Sequence, residues 1–119
     1  MGNVYGAPEI DAQAVQKLIA ENQPCVVLDV REDWELRLAA LSGPQVAQAP
    51  LSRLVREGAQ ALPPEAQDRE TPVVVVCHHG VRSAQVTAWL LGNGWKDVRS
   101  LAGGLEAYAL EVDPGIGRY

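Results

Sequence analysis

"VVVVCHHGVRS", residues 73–83, runs four β-branched residues into a thiol, two histidines and a glycine, then leaves through Arg82 and Ser83. Four consecutive valines make a short apolar run, the pattern of a strand covered on both faces. The following "RSAQVTAWLLGNG" places Val86, Trp89 and Leu90 at helical spacing, with Gly92 or Gly94 to stop the helix. Strand, tight turn and helix in that order are the start of a parallel crossover. Cys77 closes the strand, and in open α/β sheets ligand sites gather at the carboxyl ends of strands.

Outward from this junction the alternation continues. "DAQAVQKLIAENQP" reads as a helix capped by Asp11, with Val15, Leu18 and Ile19 on one face and a stop at Pro24. "CVVLDV" is a second covered strand, "REDWELRLAAL" a short helix and "QVAQAP" a brief strand. "LSRLVREGAQAL" is a helix with Leu51, Leu54 and Val55 on a shared face, and "PPEAQDRETP" a surface loop. "DVRSL" forms a strand, "AGG" a turn and "LEAYALEV" the last helix before "DPGIGRY". Strands alternating with helices predict an α/β fold with a mainly parallel sheet. The expected organisation is a single domain over residues 1–119, with its core at about 8–112.

Bulk properties narrow the function classes. Hydrophobic residues at 47% and charged residues at 21% match a folded globular chain rather than a disordered one. A net charge of −5 leaves no basic surplus for a phosphate backbone, so no nucleic-acid partner is expected. No apolar window is long enough for a membrane span. "MGNVYGAPEI" has neither a basic nor an apolar targeting region, and Gly6 breaks the myristoylation pattern. Cys25 and Cys77 stand 52 positions apart, without a CxxC pair, which fits free thiols in a reducing cytoplasm. Cys25, between Pro24 and an apolar run, reads as a small buried side chain.

Cys77 admits two readings, a small hydrophobe closing a strand or a nucleophile, and its surroundings favour the second. Gly80 lets the loop adopt conformations closed to other residues, so N–H groups from His78 to Ser83 can converge on one point. The helix beyond adds unpaired N–H groups and the positive end of its dipole. The anion they hold can be the thiolate of Cys77 itself, provided its sulfur faces out rather than into the core. His78 and His79 read equally as substrate contacts or as exposed loop residues, and without a third ligand they make no metal site. Arg82 is a cation in a first helical turn, where the dipole disfavours it. Asp29, at the end of the earlier strand, is the expected carboxylate partner, or else a cap for the "REDW" helix. Ser83 should hydrogen-bond within the loop.

"CHHGVRS" resembles the active-site loop of the rhodanese family of sulfurtransferases, Cys-x-x-Gly-x-Arg-Ser/Thr, at each fixed position. "VVLDVREDWEL", "PLSRL" and "WLLGNGWKDVRSLAGGLEAY", with its paired Gly103 and Gly104, resemble further family segments in the same order. The resemblance implies a single rhodanese-like domain, a five-stranded sheet with helices on both faces. It further implies sulfur transfer through a persulfide on Cys77, with His78, His79, Gly80, Val81 and Arg82 cradling the substrate and Asp29 and Ser83 behind them. The expected partners are a small sulfur donor such as thiosulfate and a thiophilic acceptor (cyanide, a thiol or a sulfur-relay protein), with no cofactor and no metal. The alternative is a persulfide carrier that does not turn over. Two departures stand out. Leu41 and Ser42 precede Gly43 where family members carry a histidine, and Tyr108 stands where a tryptophan is common. Related phosphatases place five residues between cysteine and arginine. Here His78, His79, Gly80 and Val81 alone intervene, a tighter ring suited to sulfur.

Overall fold

Val26–Asp29 (β2) and Val73–Val76 (β4) lie side by side in the middle of one sheet, and every residue of both is buried. The computed structural model describes residues 3–41 and 43–116. Ser42, one of the departures noted above, falls outside them. Glu9–Ile10 (β1), Val46–Gln48 (β3) and Val98–Leu101 (β5) complete the sheet in the order β1-β5-β4-β2-β3, with every pair parallel. This is the expected α/β architecture.

The pleat of β4 divides the core. Val73, Val75 and Cys77 face one side, packed with Leu54, Val86 and Leu90. Those come from helices α3 (Leu51–Glu57) and α4 (Val81–Gly92). Val74 and Val76 face the other side, with Val15 and Leu105 from α1 (Ala12–Ala20) and α5 (Gly104–Glu111). Burying each of these valines contributes about 1.5–3 kcal/mol, so the two central strands, β2 and β4, resist displacement. Helices on both faces leave the carboxyl ends of the strands as the open edge for chemistry. At α1, Asp11 caps as its sequence suggests, its Oδ1 accepting from the Ala14 N–H at 2.8 Å.

Four local expectations change. α2 is one turn, Asp33–Leu36, rather than the whole of "REDWELRLAAL". Glu32 and Glu35 form a reciprocal cap at its start, but Trp34 and Leu38 are exposed, so no apolar stripe extends it. α3 ends at Glu57 because Gly58 takes a φ of +71°, and a 3₁₀ turn over Gly58–Ala61 follows. On α3 Leu54 is buried but Val55 is 75% exposed, so Val55 lies off the shared face. The "PPEAQDRETP" loop contains a 3₁₀ turn, Pro64–Ala66, whose Ala66 carbonyl accepts from the indole N–H of Trp95 at 3.0 Å. β1 carried no sequence signal of its own.

Candidate active site

The loop after β4 is built from two glycine-dependent contacts. Gly80 adopts φ +96°, ψ 0°, and starts α4 at Val81. That bend turns the Gly80 N–H toward Cys77 Sγ at 3.1 Å, and the Ser83 N–H reaches the same sulfur at 3.3 Å. On the opposite side the N-terminus of α5 presses against the loop. The Leu105 N–H donates to the Cys77 carbonyl at 2.7 Å and the Glu106 N–H to the His78 carbonyl at 3.1 Å. A Cβ on Gly104 would collide with those two carbonyls, so only glycine permits the approach. Because a trans peptide points its N–H opposite its C=O, these bonds aim the His78 and His79 N–H groups away from α5.

The thiol itself sits deeper than expected. Cys77 keeps 1% of its surface, a correction to the sequence-based picture of an outward-facing sulfur. The cause is the pleat, which sends Cys77 to the same side as Val73 and Val75. Its polar partners are internal. The thiol donates to Ser83 Oγ at 3.3 Å, and Ser83 Oγ is 2.7 Å from Ser100 Oγ on β5. Both serines are fully buried. Ser83 therefore has the hydrogen-bonding role expected of it, while Ser100 was missed. Its place in "DVRSL" carried no signal beyond a polar residue inside a strand.

The charged groups pair differently from expectation. Asp29 does reach the carboxyl end of β2, but its carboxylate binds Arg31. Arg31 Nη2 lies 2.7 Å from Asp29 Oδ2 and Nε 3.0 Å from Oδ1, both side chains being buried. The nearer guanidinium, two residues on, takes the carboxylate first. Arg82 turns instead to Glu35, with distances of 2.5 Å to Oε1 and 2.8 Å to Oε2. Neither alternative for Asp29 holds, since α2 is capped by Glu32. Glu35 could have been suspected from the Glu32-x-x-Glu35 capping pattern, although nothing in that pattern names Arg82.

The histidines stack, ring centres 3.9 Å apart. His79 is exposed and pairs through Nδ1 with Glu106 Oε2 at 3.2 Å. His78 is half-buried, and burial first, then the neighbouring His79, pushes its pKa below the usual imidazole range. Glu106 and Glu35 oppose that shift. Val81 starts α4 with an exposed side chain beside a cavity of about 270 Å³ on the loop's outer face. Among the described residues no group of three His, Cys, Asp or Glu side chains could hold a metal. None of their helices is long and apolar enough to cross a membrane.

The Rhodanese-like domain model matches residues 11–111, the whole frame from α1 to α5. The chain belongs to the rhodanese-like domain family. It is 38% identical over 96 residues to the Rhodanese-like/PpiC domain-containing protein 12, chloroplastic, of Arabidopsis thaliana, covering 78% of this chain and 30% of that protein. A tRNA uridine(34) hydroxylase of Chlamydia pneumoniae is 31% identical over 109 residues, 92% of this chain and 33% of the hydroxylase. The chain thus spans about a third of the length of these curated relatives. Among solved structures, a human single-domain sulfurtransferase superposes with a TM-score of 0.70 at 25% identity, covering 89% of this chain and 98% of the human one. In this rhodanese-like frame, Cys77 and Gly80 lie in the loop after β4, Arg82 and Ser83 in the first turn of α4, and the N-terminus of α5 is bonded to the loop's carbonyls.

Proposed function

We propose that this rhodanese-like chain is a sulfurtransferase working through a Cys77 persulfide, as one domain over residues 1–119. The observation that carries this reading is the convergence of the Gly80 and Ser83 N–H groups on Cys77 Sγ. Amide donors aimed at a sulfur favour its anion, and the anion is the nucleophile. In the first half-reaction the Cys77 thiolate attacks the sulfane sulfur of thiosulfate or of a persulfide. A new S–S bond forms, the donor's S–S bond breaks, and sulfite or a thiolate leaves with the electron pair. In the second, cyanide, a thiol or a partner's cysteine attacks the outer sulfur, and Cys77 departs as thiolate.

The loop supports the intermediate as well as the nucleophile. The outer sulfur of a persulfide would extend beyond Sγ toward the His78–Ser83 rim, where the peptide planes turned by α5 present further N–H groups. The same geometry disfavours a phosphatase, whose arginine must face the anion, because Arg82 faces Glu35. The uridine hydroxylase activity named for one relative belongs to a protein about three times this span. With a net charge of −5 this chain also lacks a basic surplus for RNA phosphates. The depth of Cys77 favours a second reading, a persulfide carrier in a reducing cytoplasm that is loaded and emptied by protein partners with little turnover on thiosulfate.

Intact-protein mass spectrometry tests the common step. Exposure to a sulfane donor should add one sulfur, removable by cyanide or a thiol. Cys77→Ser should fold and add none. Addition of sulfur to the serine variant would overturn the assignment. Steady turnover with thiosulfate and cyanide separates the enzyme from the carrier.

A further inference from the structure

We propose that Glu35 is a donor-specificity residue. By holding the Arg82 guanidinium at two points, it directs the site toward persulfide donors and away from sulfonate-ended donors such as thiosulfate. The inference rests on the sulfurtransferase reading and adds the class of donor.

Arg82 immediately precedes Ser83, whose N–H touches the reactive sulfur. It is the cation that the loop would offer to an incoming anion. Its fork is already filled, at 2.5 and 2.8 Å, by a carboxylate that is 4% exposed, while Arg82 itself is 31% exposed. A carboxylate and a sulfonate compete for the same planar pair of N–H groups, and a buried, prepositioned carboxylate has the advantage. Glu35 is fixed in turn, its Oε1 accepting the Glu32 N–H at 3.1 Å within the α2 cap. Arg31, the next guanidinium at this end of the sheet, is likewise held by Asp29. What the loop turns toward the reacting sulfur is a pair of neutral amides, those of Gly80 and Ser83.

The two donor classes meet this site differently. Thiosulfate arrives with two negative charges and must leave its sulfonate in the mouth, near the Glu35 carboxylate, while its outer sulfur reaches Cys77. Bond making and breaking balance as sulfite leaving with the electron pair. A persulfide R–S–SH brings at most one charge, has no sulfonate to place, and releases R–S⁻. The pairing of Glu35 with Arg82 therefore costs a persulfide little and a dianion much.

The test measures the rate of sulfur loading on Cys77 by intact mass, with thiosulfate and with the hydropersulfide of 2-mercaptoethanol, which carries no sulfonate. Each rate is divided by that donor's rate with a small free thiol. Wild type should favour the persulfide by about tenfold or more. Glu35→Gln should erase about tenfold of that preference by accelerating thiosulfate, and the added Arg82→Gln should cancel the gain. Glu32→Gln disturbs the same cap without touching Arg82 and should leave the preference in place. Equal wild-type rates, an unchanged ratio in Glu35→Gln, the same shift in Glu32→Gln, or a gain that survives loss of Arg82 would each overturn the assignment. The wild-type ratio decides the matter even where Glu35→Gln folds poorly. Failure of either donor to load Cys77 at all would remove the sulfurtransferase reading itself, a different result from an unchanged ratio.

Discussion

The two ends of the sheet each hold one cysteine and one helix glycine, and they treat them in opposite ways. At the carboxyl end, Cys77 is the more buried thiol, yet two N–H groups and a buried serine hydroxyl meet its sulfur. At the amino end, Cys25 leads into β2, only half-buried. Burial raises its pKa, the Arg99 charge opposing and the Asp97 charge adding. Exposure alone makes Cys25 the more reachable thiol, the reverse of the order that the proposed sulfur transfer requires. What separates them is the direction of the surrounding dipoles, which the parallel fold concentrates where strands end and helices begin.

The largest expected effect breaks the carboxyl end through its glycine. Gly104→Ala forces a side chain onto the Cys77 and His78 carbonyls at a φ of +65°. It should destabilise the protein by about 3 kcal/mol and abolish sulfur uptake. Gly92→Ala, in α4 with open space around it, should stabilise by about 0.5–1 kcal/mol with uptake unchanged. Urea midpoints beside mass measurements check both, and equal behaviour of the two variants would remove the distinction between the ends. A smaller effect isolates the hydroxyl from the amides. Ser83→Ala leaves both N–H groups in place but strands the buried Ser100 hydroxyl. A loss of about 1–2 kcal/mol and about tenfold slower loading should follow. Unaltered loading would show that the amides act alone.

How much of this was legible depended on how local the determinants are. Asp11 caps three residues ahead of its partner amide, and the valines of β4 carry their own burial, so both could be read from the chain. The loop from Cys77 to Ser83 was readable for the same reason, being contiguous. Glu35 and Ser100 were not. Arg82 meets its carboxylate across 47 positions, and Ser83 meets Ser100 across 17. Several carboxylates end near the same edge, and which of them meets Arg82 depends on Arg31 having already taken Asp29. β1 escaped because it holds its place by backbone pairing to β5, Ser100 N–H to the Pro8 carbonyl and Ala102 N–H to the Ile10 carbonyl, which any sequence can provide. The depth of Cys77 follows from the pleat continuing one residue past the strand, a matter of phase rather than composition.

The smallest effect sharpens the comparison at Cys25. Its raised pKa means that the folded chain holds the thiol proton more tightly than the unfolded chain does. Stability from this group is therefore complete below the ordinary thiol range and declines as pH rises through it. Cys25→Ala should flatten the alkaline part of the stability curve while leaving the neutral part nearly unchanged, as denaturant midpoints at neutral and alkaline pH would reveal. Sulfur uptake should be unaffected, because no step involves the amino end. Were Cys25→Ala to slow loading of Cys77, or were Cys25 to take up sulfur at neutral pH as fast as Cys77, the direction of the dipoles would not be what distinguishes the thiols. The contrast between the two ends would then reduce to depth alone, which predicts the opposite order.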